Sequence, residues 1–329
     1  MRNAVIRSIG SYAPERILTN EYFDQLLGEN VSTWLEKNLT IQERRWCRDN
    51  QSTADLCVEA AQRALKKAGL AATALDLIIV GTDTPEHISP STASAVHYRL
   101  GATNAGALDV NVACSSFVVG LEMASRYIRS GNDYATILVI GAYAMSKYLN
   151  PKDKKTVTLF ADGAGAAVVT AVEGGNRGFL GARHKVEGQY HGWMGIYAGG
   201  TQYPISPQAL AKGDQYLQFV KKFPDNKNPE TWTLMVRSLC QQLDIKPNDI
   251  AHYFMTQINI NSIHQTMDNL DVPRAKAHTI MDRYAYTGAA CIPMAIDDAV
   301  QCGRLKENDL ILMITSGGGL SFAAAVFRY

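Results

Sequence analysis

At Cys114 the spacing of apolar residues changes period, and that change constrains the fold more than any other feature of the chain. Before it, Leu108, Val110 and Val112 read as the end of a buried strand, apolar and β-branched. After it, Phe117, Val118, Leu121, Ala124 and Ile128 fall on one face of a helix that runs to about Ser130, with Gly131 as its C-cap. Cys114 therefore stands where a strand turns into a helix, with the free N–H groups of the first turn around its sulfur. Those donors and the helix dipole favour a thiolate, so a pKa below the free value of ~8.5 is expected. They can also stabilise the oxyanion formed when a thiolate attacks an acyl thioester. The plainer reading is a small, buried, apolar cysteine.

Strand and helix patterns alternate along the rest of the chain, which makes the fold class α/β. Ala4–Tyr12 reads as a strand, and Ser52 to Gly69 as an amphipathic helix capped at Ser52 or Thr53 and ended by Gly69. Leu75–Gly81 is a buried strand, Ala93–Leu100 a short helix and Ala135–Gly141 another strand. Phe160-Ala161-Asp162-Gly163-Ala164-Gly165-Ala166 lacks the spacing of a P-loop or a dinucleotide fingerprint, and is read as a tight turn between strands near a pocket. In the second half, a helix over Thr231–Leu243, a strand giving way to a helix at Tyr253–Asn259, a helix from Cys291 to Gly303 and a strand Leu310–Ile314 follow. When Gly131 is laid on Gly303, Cys114 falls opposite Tyr286. A duplication is the natural reading, with halves 1–174 and 175–329 directing two helix N-termini at one site.

Composition narrows the function classes. The chain has 329 residues, 47% of them hydrophobic and 19% charged, with a net charge of +1. It is long enough for two packed halves, and without a basic face it is not read as a partner of nucleic acid or of an anionic membrane surface. Six cysteines without a C-x-x-C pair fit reduced thiols in a cytoplasmic protein, not a disulfide scaffold or a metal site. The start at Met1-Arg2-Asn3-Ala4 enters a strand pattern directly, and the longest apolar runs reach about half of the ~20 residues of a membrane span.

Four blocks together resemble the ketoacyl synthase III family of the thiolase superfamily. They are Gly10-Ser11-Tyr12-x-Pro14, Ala113-Cys114-Ser115-Ser116-Phe117, Phe160-x-Asp162-Gly163-Ala164-Gly165-Ala166 and Gly317-Gly318-Gly319. The resemblance implies a five-layered αβαβα fold, usually as a homodimer, and acyl transfer from coenzyme A or acyl carrier protein onto Cys114. No permanently bound cofactor or metal is implied. The oxyanion hole would use the backbone N–H groups of Cys114 and Gly319. Trp34 occupies the place of a tryptophan that stacks on the adenine of coenzyme A; otherwise it is an interface or core aromatic. Lys154 stands at the tunnel mouth, as a phosphate partner or as a solvated surface lysine. Phe160 and Asn259, within matching blocks, complete the substrate-binding candidates. Asn38 and Gln42 replace arginines usual after the tryptophan, which points toward a carrier-protein donor.

The resemblance breaks at two catalytic positions. Where the family has a histidine in His-Gln-x-Asn, this chain has Thr256-Gln257-Ile258-Asn259; where it has an asparagine before Thr-Ser/Gly-Ala, this chain has Tyr286-Thr287-Gly288-Ala289. That pair donates hydrogen bonds to the developing enolate of a malonyl thioester, and losing one such donor costs ~10²–10³ in rate. His264, His252 and His87 offer no obvious replacement, and Glu86 beside His87 is read as an ordinary loop residue. The leading reading is an acyltransferase that loads Cys114 and passes the acyl group to a carbon nucleophile, a hydroxyl or an amine in fatty acid-like or secondary-metabolite biosynthesis. A second reading is a non-catalytic thiolase-fold subunit that pairs with a catalytic partner in a heterodimer. An ordinary chain-initiating synthase stands third.

Overall fold

The computed structural model describes residues 2–329. Two sheets organise it, each drawn from one half of the chain. The first has five strands in the order Arg2–Tyr12, Asp162–Glu173, Thr136–Ala144, Leu77–Gly81, Gly106–Val110. Its last three strands run parallel, and Asp162–Glu173 is antiparallel to both of its neighbours. The second sheet runs His252–Met255, Leu310–Gly317, Ser321–Arg328, Gly178–Val186. Its first pair is parallel and the other two pairs are antiparallel.

Two helices, Ser116–Ser130 and Cys291–Gln301, are packed between the sheets; Thr53–Ala68 covers the outer face of the first sheet, and Lys227–Gln242 that of the second. The layering is αβαβα, the thiolase-like arrangement. Strand pleating explains it. Ile137 and Val139 face the central helices, whereas Leu138 and Ile140 face the Thr53–Ala68 layer. In the second sheet Ile311 and Met313 point to the centre, and Leu312 and Ile314 point outward toward Trp232. Both sheets are covered on both faces, so their strands read as continuous apolar runs.

Helix ends follow local chemistry. Ser52 caps Thr53–Ala68 through a reciprocal box with Asp55, and Gly69 closes it in the left-handed region at φ 66°. Gly131 ends the Ser116–Ser130 helix differently from expectation: it is extended, φ 179°, so the helix stops without a left-handed cap. The glycine-rich segment also departs from its reading as a turn. Asp162–Glu173 is a continuous strand, and its glycines admit a close helix: a Cβ on Gly165 would lie 2.5 Å from the Pro293 Cβ and 2.9 Å from the Met294 nitrogen. The closing strand Ser321–Arg328, rich in alanine, carries no strong strand signal and was not anticipated. No helix among the described residues is long and apolar enough to cross a membrane.

The Gly165 contact yields a stability test. Gly165→Ala should lower unfolding free energy by about 1–3 kcal/mol, the ordinary cost of overpacking. Gly131→Ala, with nothing within 4 Å of the added Cβ, should stay within about 0.5 kcal/mol. Urea denaturation of both variants beside the wild type checks this.

Candidate active site

The turn that carries Cys114 is built from its own short side chains and from the second sheet. Between the strand ending at Val110 and the helix starting at Ser116, Ala113 takes a left-handed conformation, φ 47°. The Ser116 hydroxyl accepts from the Val112 N–H at 2.8 Å and donates to the Ala113 carbonyl at 2.5 Å, which closes the turn. The buried Ser115 hydroxyl donates to the Ser321 carbonyl at 3.4 Å, across to the other half of the chain. Gly317 presses on the same turn: a Cβ there would lie 2.8 Å from the Val112 carbonyl oxygen and 2.9 Å from the Cys114 nitrogen. Any side chain at position 317 would displace the cysteine.

Cys114 opens onto a cavity of about 350 Å³ whose walls include Thr256, Asn259, Tyr286, Gly317 and Trp34. A second cavity, about 700 Å³, adjoins it through Trp34, Leu159, Phe219 and Lys222. Lys154, Lys155, Lys221 and Lys222 stand around this outer chamber, and Lys154 pairs with Glu29 at 3.0 Å. Trp34 is 56% exposed on the rim, so it is not a core aromatic. The result is an inner chamber at the cysteine and a basic outer mouth.

Electrostatics at the sulfur overturn one expectation. Burial pushes the Cys114 thiol well above its ordinary range, and the charge of Asp83 adds to the effect. A hydrogen bond from Tyr286 and the turn's own backbone act the other way without compensating. The favoured form is the thiol, not the thiolate expected at a helix N-terminus, because desolvation outweighs the first-turn donors. Tyr286 is itself held protonated, by burial first and then by the neighbouring Cys114, Cys291 and Tyr143, so it remains a donor. Its ring packs on Phe160 at 5.6 Å and Tyr143 at 6.4 Å.

The other sequence-derived residues divide by what they bond. The Thr256 hydroxyl accepts from the Ser316 N–H at 2.9 Å and faces the Ser316 carbonyl at 3.4 Å, so it ties two strand ends together although it borders the cavity. Asn259 caps the Ile260–Asn269 helix by accepting from the Asn261 N–H. Phe160 is fully buried behind Tyr286 and lines neither cavity; Gly319, at φ 122° in the turn after Gly317, lines neither as well. Glu86 accepts from the Ala54 N–H at 2.9 Å and from Arg99 at 3.1 Å, a structural role. Among the described residues, the one cluster of potential metal ligands is His278, Asp298 and Cys302, outside both cavities, where Asp298 already binds Arg283. Asp83, Tyr143 and Cys291, which bear on the electrostatics of the site, are not singled out for it by the sequence. Only the position of Asp83, just after a parallel strand, could have drawn attention to it.

This geometry can be set beside known proteins. The family profile for 3-oxoacyl-[acyl-carrier-protein (ACP)] synthase III matches residues 108–188, and the profile for its C-terminal part matches residues 240–329. The chain is similar to the beta-ketoacyl-[acyl-carrier-protein] synthase III of Caldanaerobacter subterraneus subsp. tengcongensis, at 36% identity over 99% of this chain and 98% of that one. It is similar also to the synthase III of Xanthomonas campestris pv. campestris, at 35% identity over 98% of each chain. The crystal structure of 3-oxoacyl-[acyl-carrier-protein] synthase III from Aquifex aeolicus superposes with a TM-score of 0.88 at 30% identity, covering 99% of this chain and 100% of that one. The priming β-ketosynthase of the R1128 polyketide pathway gives 0.87 at 25% identity, over 98% of this chain and 95% of that one. With its thiolase-like layering and a cysteine at the strand–helix turn, the chain belongs to the 3-oxoacyl-[acyl-carrier-protein] synthase III family of condensing acyltransferases.

Proposed function

We propose that Cys114 accepts an acyl group from a coenzyme A or acyl-carrier-protein thioester and passes it to a second acceptor, a carbon nucleophile, a hydroxyl or an amine. The observation that carries this reading is a buried cysteine at a helix N-terminus facing a cavity that continues into a lysine-ringed mouth. Those lysines suit the phosphates of a phosphopantetheine arm or the acidic surface of a carrier. The carbonyl oxygen of the bound thioester would be received by backbone N–H groups of Cys114 and of the Gly317–Gly319 turn.

The member is divergent in the second step. Thr256 and Tyr286 stand where the family's histidine and asparagine are, and the Thr256 hydroxyl is already engaged with the Ser316 backbone. Tyr286 is then the main side-chain donor beside the sulfur, and decarboxylative condensation of a malonyl thioester is disfavoured. Two halves, 1–174 and 175–329, account for each sheet being drawn from one side of that boundary. A homodimer is supported by the unpaired edge of Gly106–Val110 and by the exposed Ile88 and Tyr98 in the segments just before it. The six unpaired cysteines support a reducing compartment, the cytoplasm.

Intact-protein mass spectrometry with a panel of acyl-coenzyme A and acyl-carrier thioesters tests the reading. An acyl adduct is expected on wild type and absent from Cys114→Ala. No adduct from any donor, with Cys114 inert to iodoacetamide, would leave the non-catalytic subunit in its place. Tyr286→Phe removes the hydroxyl that favours the thiolate. It should slow alkylation of Cys114 at pH 8 by about tenfold, the worth of a hydrogen bond to a charged group; an unchanged rate would remove Tyr286 from the site's chemistry.

A further inference from the structure

The lysines of the outer mouth have a counterpart inside. Lys222 and Lys227 line the same cavity of about 350 Å³ as Cys114 and Tyr286, and Asp225 is the carboxylate on that wall. Lys222 and Asp225 pair with each other at 2.8 Å on an exposed rim. Lys227 is more withdrawn: its side chain is 21% exposed, against 79% for Lys222. It opens the helix Lys227–Gln242, a position where the helix dipole favours an acid over a lysine. A residue that runs against its local preference calls for a reason from outside its own helix.

Glu187 fixes where that ammonium stands. Its carboxylate binds Lys185 at 2.8 Å and Lys227 at 2.5 Å, and these two bonds hold the carboxyl below its ordinary range. The Glu187 N–H donates to the Leu320 carbonyl at 2.9 Å, and the Leu320 N–H donates to the Glu187 carbonyl at 3.2 Å. Leu320 itself lines the cavity, in the same turn as the Gly317 that presses on Cys114. Lys227 is thus tied through Glu187 to the backbone beside the nucleophile. One carboxylate is shared by two lysines, so a positive charge is left uncompensated. The ring of Tyr190, 5.5 Å away, is another neighbour of the ammonium. An ammonium has three N–H groups, and among the described residues Glu187 is the one anion that Lys227 meets.

We propose that Lys227 is the anion-binding group of the inner chamber, and that the acceptor of the acyl group is a small acid held there by its carboxylate. This rests on the reading of Cys114 as the residue that carries the acyl group. An ammonium partly withdrawn from water binds a carboxylate more strongly than one at the surface. Held at one end by Lys227, the acid presents its nucleophilic atom to the acyl group on Cys114 from within the same cavity. The contact also sets the fate of the carboxylate. Pairing with a cation stabilises the ground state and opposes loss of carbon dioxide, which would carry the negative charge away from Lys227. The carboxylate is a handle kept through the reaction, and the product is an acyl derivative of an acid. That outcome suits a site with Thr256 and Tyr286 in place of an enolate-stabilising pair.

Iodoacetate and iodoacetamide test the site without a natural substrate. Both alkylate the same thiolate, so a change in the charge of Cys114 cancels in the ratio of their rates, and they differ by one carboxylate. Relative to the ratio for mercaptoethanol, wild-type Cys114 should favour iodoacetate by about tenfold, the usual strength of a hydrogen bond between charged groups. Lys227→Met should abolish that preference, and Lys227→Arg should retain most of it. In wild type, acetate should protect Cys114 from iodoacetamide and acetamide should not. No preference in wild type, or equal protection by acetate and acetamide, overturns the proposal even if the variant fails to fold. A preference unchanged in Lys227→Met overturns it as well, and so does carbon dioxide released from malonyl-coenzyme A at a rate that falls in Lys227→Met. A preference for iodoacetate that is lost in Lys227→Met, in a protein whose wild type takes no acyl adduct, would defeat the acyltransferase reading but leave the anion site standing.

Discussion

Two helices buried between two sheets are the constraint on which the rest of the molecule depends. Ser116–Ser130 and Cys291–Gln301 have apolar side chains facing both ways, toward Ile137 and Val139 on one side and toward Ile311 and Met313 on the other. Neither half could bury its inner surface alone. The close approach is purchased with small residues: Gly165 against Pro293, and Gly141, where a Cβ would lie 2.3 Å from the Ala289 carbonyl oxygen. Once the halves are docked in this way, the segments leading into both central helices converge, and Cys114 and Tyr286 line the same cavity.

The same docking sets the electrostatic problem of the site. Cys114 is buried, and burial raises the free energy of its thiolate. The Tyr286 hydroxyl and the backbone of the turn recover part of that cost. Hydrogen-bond donors are stronger in a low-dielectric pocket, so they act best on the charge that appears during reaction. Tyr143, Phe160 and Tyr286 form a buried aromatic cluster on which the cavity wall at Tyr286 rests. Lys154, Lys155 and Lys221 stand around the outer chamber alone, and Lys222 is shared with the inner one, which Lys227 also lines, so a charged donor is met from the mouth inward.

Much of this was legible along the chain wherever the signal was local. The change of period at Cys114, the Ser52 cap with Gly69, and the strands Leu77–Gly81 and Thr136–Ala144 all follow from apolar spacing and terminal residues. Signals failed where packing, not propensity, chose the conformation. Phe160 to Ala166 has the glycines of a turn, yet it enters a strand because a helix must lie within a few ångströms of it. Ser321–Arg328 is an alanine-rich strand because its small side chains fit between two apolar layers. The resting charge of Cys114 could not be read from its helix-terminal position, since burial is a property of the whole fold.

By itself the sequence determined the alternation of strands and helices, the strand–helix turn that presents Cys114, and the identities of Thr256 and Tyr286 as side chains able to donate through hydroxyls. Those are short-range properties, written in residue type and spacing. Tertiary structure alone decided that the Thr256 hydroxyl is used by Ser316 while that of Tyr286 reaches the sulfur. It also decided that the charge of Asp83, 31 residues before Cys114, bears on the cysteine's thiol. Which hydroxyl is free depends on what lies within a few ångströms in space, and local sequence carries no record of that.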